Sequence, residues 1–228
     1  MIMSIILLMI FNQFIFTAIF SVFESQNDNW NIFGLQFTSK EPKLFPMSSE
    51  RQIKNLALIG FMGSGKTTVG QHLAFALRFQ FVDTDQLIER RTGKTVTEIF
   101  KTHGEAHFRD LERQIVRELV ESSGTVIATG GGLPCHFDNL ERLKEKAFVV
   151  CLWASPEKLY ERVKHQSHRP LLNDPDPLGT MRRLLSDREP YYRQADLLVN
   201  VETRTTREIV QIILHEFNLL NMKKLPSG

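Results

Sequence analysis

Between Gly60 and Thr68 the chain reads GFMGSGKTT, in which Gly60, Gly65, Lys66 and Thr67 match the pattern GxxxxGK[ST]. The pattern has a physical logic. Glycines let the backbone wrap closely round phosphate oxygens, and successive N–H groups point inward at the anion. The loop opens a helix, whose N-terminus favours negative charge. Lys66 would reach the β- and γ-phosphates of a nucleoside triphosphate, and Thr67 would set its hydroxyl on Mg²⁺. Gly63, Ser64, Gly65, Lys66, Thr67 and Thr68 are therefore the expected ATP contacts.

Asp83 and Asp85 flank Thr84 at the end of an apolar run. In extended chain, residues two apart point to the same side, so both carboxylates would face one direction near the loop. They would serve Mg²⁺ and a substrate hydroxyl, the two needs of phosphoryl transfer. A DxD at a strand end is also a common turn or cap, and Asp85 is a candidate cap for the next helix. Arg109 has Glu112 three residues on, at a spacing where an ion pair orients the guanidinium. Arg188 lies in REPYYR, just after a predicted helix. Arg169 lies in a polar loop, and Arg162 on the helix leading into it. Guanidinium forks suit carboxylates and phosphates. Gly130, Gly131 and Gly132 follow a buried strand directly, where they permit close backbone approach and expose N–H donors.

The elements that must position these groups are legible from periodicity. Strands are expected at 55–60, 80–83, 125–129, 148–153 and 196–201, and helices at 66–78 and 84–92. Thr95 with Glu98 forms a capping-box pattern that starts a short helix. A long helix is expected over 105–122, ended by Gly124 as C-cap. A further helix lies near 136–146, and Ser155 with Pro156 starts the next. The proline-containing stretch 165–177 is a loop, followed by a helix to about Arg188 and a last helix at 205–219. Alternating strands and helices imply an α/β domain, a parallel sheet covered on both faces. Ligands in such sheets bind beyond the carboxyl ends of the strands, where these motifs lie.

Taken together, GFMGSGKTT, FVDTDQLIE, GEAHFRDLE, TGGG, RPLL and REPYYR closely resemble the bacterial-type shikimate kinase family, over about Asn55 to Phe217. The resemblance implies a three-layer α/β/α P-loop kinase fold with a central five-stranded parallel sheet and a mobile lid at about 165–177. It implies ATP-dependent phosphorylation of shikimate on its 3-hydroxyl, a step towards chorismate and the aromatic amino acids. Asp85 would hold the ring hydroxyls and act as base, with Asp83 near Mg²⁺. Arg109 and Arg188 would grip the carboxylate, and Gly131 and Gly132 would contact shikimate through the backbone. Arg169 would close from the lid on the ATP phosphates, and Arg162 would stack on adenine. Gluconate kinase, another P-loop kinase of small metabolites, would share the first motif and lack the FR, GGG and RxPxY set. A degenerate, non-catalytic relative would have lost at least one of these ligand-contacting residues, and all are present.

The 228 residues suffice for one such domain with some length to spare. A net charge of +2 is too near neutral to suggest a nucleic-acid partner. Two cysteines, Cys135 and Cys151, have no metal-type spacing, and a reducing cytosol fits them. Residues 1–23 are almost wholly apolar and uncharged, long enough to span a bilayer, and 24–46 read as a linker. Three readings stand: translation starting at Met47, a membrane anchor with Lys40, Lys43 and Arg51 keeping the kinase domain cytosolic, or a targeting peptide. The expectation is a cytoplasmic monomer over residues 47–228, with a membrane tether as the alternative.

Overall fold

The computed structural model describes residues 29–32, 35–38, 51–165 and 174–222. The chain divides into two compact units, Met1–Ser49 and Glu50–Gly228. In the first, where a linker was expected, β1 (Asn29–Ile32) pairs antiparallel with β2 (Leu35–Thr38), and Trp30 is in register with Phe37. The period-two alternation of Trp30, Ile32, Leu35 and Phe37 with polar residues accounts for the pairing. Residues 1–23 lie outside the described residues.

In the second unit the elements run β3 (Asn55–Ile59), α1 (Lys66–Leu77), β4 (Gln80–Asp83), α2 (Thr84–Thr92), α3 (Val96–Glu121), β5 (Thr125–Ala128), α4 (Asn139–Lys146), β6 (Ala147–Trp153), α5 (Pro156–Val163), α6 (Pro177–Tyr192), β7 (Leu197–Asn200) and α7 (Thr206–Met222). The five later strands form one parallel sheet in the order β4-β5-β3-β6-β7. Helices flank it, giving the three-layer architecture. Every residue of β3 is buried, because a central strand of a parallel sheet is covered on both faces. Its Leu56, Leu58 and Ile59 are fully enclosed, each stabilising the fold by about 1.5–3 kcal/mol. The chain leaves β3 for the sheet edge at β4, returns to β5 beside β3, then crosses to β6 on the other side. That reversal puts the loop after β3 at the switch point of the sheet.

Buried polar groups tie the layers. Asn55 Nδ2 donates to the carbonyls of Ser122 (2.8 Å) and Leu119 (3.4 Å), and its Oδ1 accepts from the Thr125 amide (3.0 Å). This bolts the end of α3 to β3 and β5. Phe217 on α7 packs edge-on against Phe79, with centroids 6.1 Å apart.

The Thr95 capping box and both helices expected after it are present: α3 is two helical segments that meet at Gly104, whose φ of 81° and ψ of 172° are non-helical and require glycine. Three local expectations are corrected. The C-cap of α3 is Ser122, whose hydroxyl bonds Leu119 O, and Gly124 lies beyond it with its amide on Lys54 O. Ser155 occupies the N-cap position of α5, yet no backbone amide reaches its side chain. Finally, α6 runs through Pro190 to Tyr192, so Arg188 lies inside a helix and not after one. Pro190 is tolerated because only one hydrogen bond of the last turns is lost there.

Candidate active site

The P-loop joins β3 to α1 at the centre of the sheet. Lys66 Nζ donates to the carbonyls of Gly60 and Phe61, both at 2.9 Å, which folds the lysine over its own loop. Thr67 Oγ1 donates to Asp83 Oδ2 at 2.9 Å. The pair sets a hydroxyl and a carboxylate oxygen side by side, hard oxygen donors of the kind Mg²⁺ takes. Mg²⁺ commonly takes one or two protein oxygens and completes its shell with phosphates and water.

Asp83 also caps α2: its Oδ1 accepts from the amides of Asp85 (3.1 Å) and Gln86 (3.3 Å). The cap is therefore Asp83 and not Asp85. Asp85 lies in the first turn of α2, so the two carboxylates are brought close by a strand-to-helix turn and not by the pleat of one strand. Burial, helped by the Asp83 charge, pushes the Asp85 carboxyl up to about 6 against the pull of Lys66. Its Oδ1 is buried and has no hydrogen-bond partner among the described residues.

Arg109 projects from α3 between two acids. Its Nη1 donates to Glu112 Oε2 at 2.8 Å, and its Nε and Nη2 donate to Glu105 Oε1 at 3.1 and 2.7 Å. Glu112 is fully buried, and burial pushes its carboxyl up to about 7 while Arg109 pulls it down. Its Oε1 is a second buried acceptor without a partner among the described residues. Both orphan oxygens face Gly130: a Cβ there would lie 2.5 Å from Asp85 Oδ1 and 3.0 Å from Glu112 Oε1. Only glycine lets the loop pass between them. Gly132 has the same relation to Arg109, where a Cβ would come within 2.9 Å of Nη1.

The triple-glycine loop is held at several points. The Gly130 amide donates to Thr84 Oγ1 (2.9 Å), and Tyr192 donates its hydroxyl to Gly131 O (2.7 Å). The Gly130 and Gly132 carbonyls accept from Leu133 and Cys135. The amides of Gly131 and Gly132 have no partner among the described residues. Arg188 reaches the same loop from α6, with its guanidinium over the Phe61 ring at 5.2 Å. Arg188 and Arg109 thus approach the loop from two helices, and two amides, two arginines and two carboxylates converge beside the phosphate cradle. A small anionic polyol matches that set: acceptors for hydroxyls, donors for a carboxylate.

The motif set now has external support. The family profile described as shikimate kinase matches residues 62–218. The chain belongs to the shikimate kinase family. A shikimate kinase of Thermodesulfovibrio yellowstonii is 41% identical over 172 residues, covering 75% of this chain and 99% of the relative. That of Deinococcus radiodurans is 44% identical over 165 residues, covering 72% and 84%. A solved shikimate kinase from Acinetobacter baumannii, in complex with shikimate, superimposes with a TM-score of 0.70 at 39% identity, covering 77% of this chain and 97% of that one. A gluconokinase from Sinorhizobium meliloti, at 20% identity and a TM-score of 0.51, shares the fold alone.

On the far side of the P-loop, Gly63, Ser64, Gly65, Thr68, Val69, Arg162, Val201, Arg204, Thr206 and Ile209 line a cavity of about 170 Å³. Arg162 braces it, donating to Val201 O (2.6 Å) and Gly63 O (3.3 Å). Arg169 and most of the expected lid lie outside the described residues; α6 begins at Pro177, capped by Asp176. Sequence reasoning missed Thr84, Tyr192 and the 201–206 loop as parts of the site. Thr84 and Tyr192 sat inside DTD and REPYYR, but nothing in those motifs showed which neighbour their hydroxyls would meet. The 201–206 loop carried no motif at all.

Proposed function

We propose that this chain transfers the terminal phosphoryl group of ATP to the 3-hydroxyl of shikimate, giving shikimate 3-phosphate on the route to chorismate and the aromatic amino acids. The observation that carries the reading is Asp85: a half-buried carboxylate with one buried, unpartnered oxygen, set between Lys66 and Arg109 beside the glycine loop. At neutral pH a group with a pKa of about 6 is mostly ionised, and accepts the proton that the hydroxyl must release. The hydroxyl oxygen then forms its bond to the γ-phosphorus as the bridging bond to ADP breaks. Such a transition state spreads charge over the equatorial oxygens, so positioning and electrostatics dominate.

In this reading Gly63, Ser64, Gly65, Lys66, Thr67 and Thr68 hold the phosphates, with Lys66 leaving its loop carbonyls for them. Thr67 and Asp83 would hold Mg²⁺, which would supply charge neutralisation for the transferring phosphoryl group. Arg109 and Arg188 take the shikimate carboxylate, and Gly131 and Gly132 offer their amides. Arg162 borders the adenine, and Arg169 closes on the phosphates. Excluding water from the site prevents ATP hydrolysis from competing. A coupled ADP-release assay with shikimate, gluconate and nucleoside monophosphates as acceptors tests the reading. Turnover confined to shikimate is expected, and no stimulation by shikimate overturns it.

The kinase unit, residues 47–228, is proposed to work as a monomer in the cytosol, with residues 1–46 outside the catalytic machinery. Among the described residues no helix is long and apolar enough to cross a membrane. Equal turnover by the full chain and by a chain starting at Met47 is the expected result.

A further inference from the structure

The triple-glycine loop presents its two unpartnered amides only if its peptide planes are fixed. A peptide plane has one N–H and one C=O on opposite sides, so holding a carbonyl aims the following amide. The plane between Gly131 and Gly132 joins the Gly131 carbonyl to the Gly132 amide. Its carbonyl is held at 2.7 Å by the hydroxyl of Tyr192, a residue with no exposed surface. Tyr192 stands at the end of α6, four residues after Arg188, whose Nη1 would lie 3.4 Å from a Cβ on Gly131. One helix therefore carries both the arginine that reaches the loop and the hydroxyl that fixes it.

We propose that Tyr192 is a positioning residue for the phosphoryl acceptor: its hydroxyl, by holding the Gly131 carbonyl, aims the Gly132 amide at the acceptor and fixes the loop at a set distance from Arg188. The inference rests on the proposed placing of shikimate against this loop. Burial pushes the Tyr192 phenol well above its ordinary range, against the opposing charge of Arg188, so it remains a donor throughout the working pH range. The Gly130 amide is separately held by Thr84 at 2.9 Å, so losing the Tyr192 bond frees the Gly131–Gly132 peptide and leaves the Thr129–Gly130 peptide in place. The ATP side is built from α1 and the 201–206 loop, which Tyr192 does not hold.

The test is Tyr192→Phe in the full chain, which removes one oxygen and keeps the buried ring. The expected result is a rise of about five- to tenfold in KM for shikimate, the factor that loss of one neutral hydrogen bond gives. The KM for ATP stays within about twofold, a smaller change than that bond would give. Amide exchange at Gly132 should also lose the shikimate-dependent protection seen in the parent chain. An unchanged shikimate KM overturns the proposal. So does a parallel rise in both KM values, which would mark a merely structural hydroxyl. Failure of the variant to fold also counts against it, since a role confined to one hydroxyl predicts a folded protein. If the parent chain itself does not phosphorylate shikimate, the fault lies with the functional reading and not with Tyr192.

Discussion

Replacing Glu112 by Gln should flatten the dependence of stability on pH. Glu112 is fully buried, and its carboxyl is raised from 4.5 to about 7 by burial. Below pH 4.5 the group is protonated whether the chain is folded or unfolded, and its burial carries no charge penalty. As pH rises from there, the unfolded chain releases the proton while the folded chain keeps it. Stability is lost through that window, until the folded group ionises near 7 and the loss is complete. A shift of this size corresponds to ~3 kcal/mol, at 1.36 kcal/mol per unit. For a domain of 150–250 residues that is roughly 6–12 °C in Tm. Glutamine keeps an oxygen for Arg109 Nη1 and removes the titration, so the variant carries a constant offset in Tm but not this slope. The measurement is thermal unfolding of both proteins in matched-ionic-strength buffers from pH 5 to 8.5. Parallel curves, with an offset that does not change across the window, would refute the account of Glu112 as a buried, raised carboxylate.

Three further outcomes are expected. With Asp85 as base at about 6, kcat/KM should fall towards tenfold per unit below pH 6 and level off above 7, and Asp85→Asn should lose most of the turnover at every pH; a flat profile across pH 5 to 7 contradicts the role. Lys66→Ala should lower kcat by two or more orders of magnitude, roughly the scale of removing one preorganised charge contact, with near-normal turnover counting against it. Arg109→Ala should weaken shikimate binding by about 1.5–3 kcal/mol while ATP affinity, read by calorimetry, stays similar; equal loss for both ligands would show collapse of the site instead.

Much of this protein is local, and local order is readable from sequence. Helix α2 and strand β4 fall where periodicity put them, because a short amphipathic helix and a four-residue strand are bounded by their own signals. The P-loop was legible for the same reason: its phosphate contacts come from consecutive residues of one turn. The errors fell where a neighbour in space overrides a local preference. Asp85 looked like a cap by position, but the extended backbone at Asp83 gave the cap to the earlier residue. Arg188 was expected just after a helix, yet the helix runs on through Pro190 to the buried Tyr192.

The sequence by itself determined the chemistry available: a triphosphate cradle, a pair of acids, a run of glycines and arginines suited to an anion. Only the tertiary structure decided that Asp85 and Glu112 turn orphan oxygens towards the same glycine, and that Thr84 and Tyr192 hold the loop between them. Those contacts join residues tens of positions apart in the chain, from α2, α3, α6 and the loop after β5. No local pattern encodes such a meeting, because it depends on where the parallel strands end and on which helix each strand sends back across the sheet.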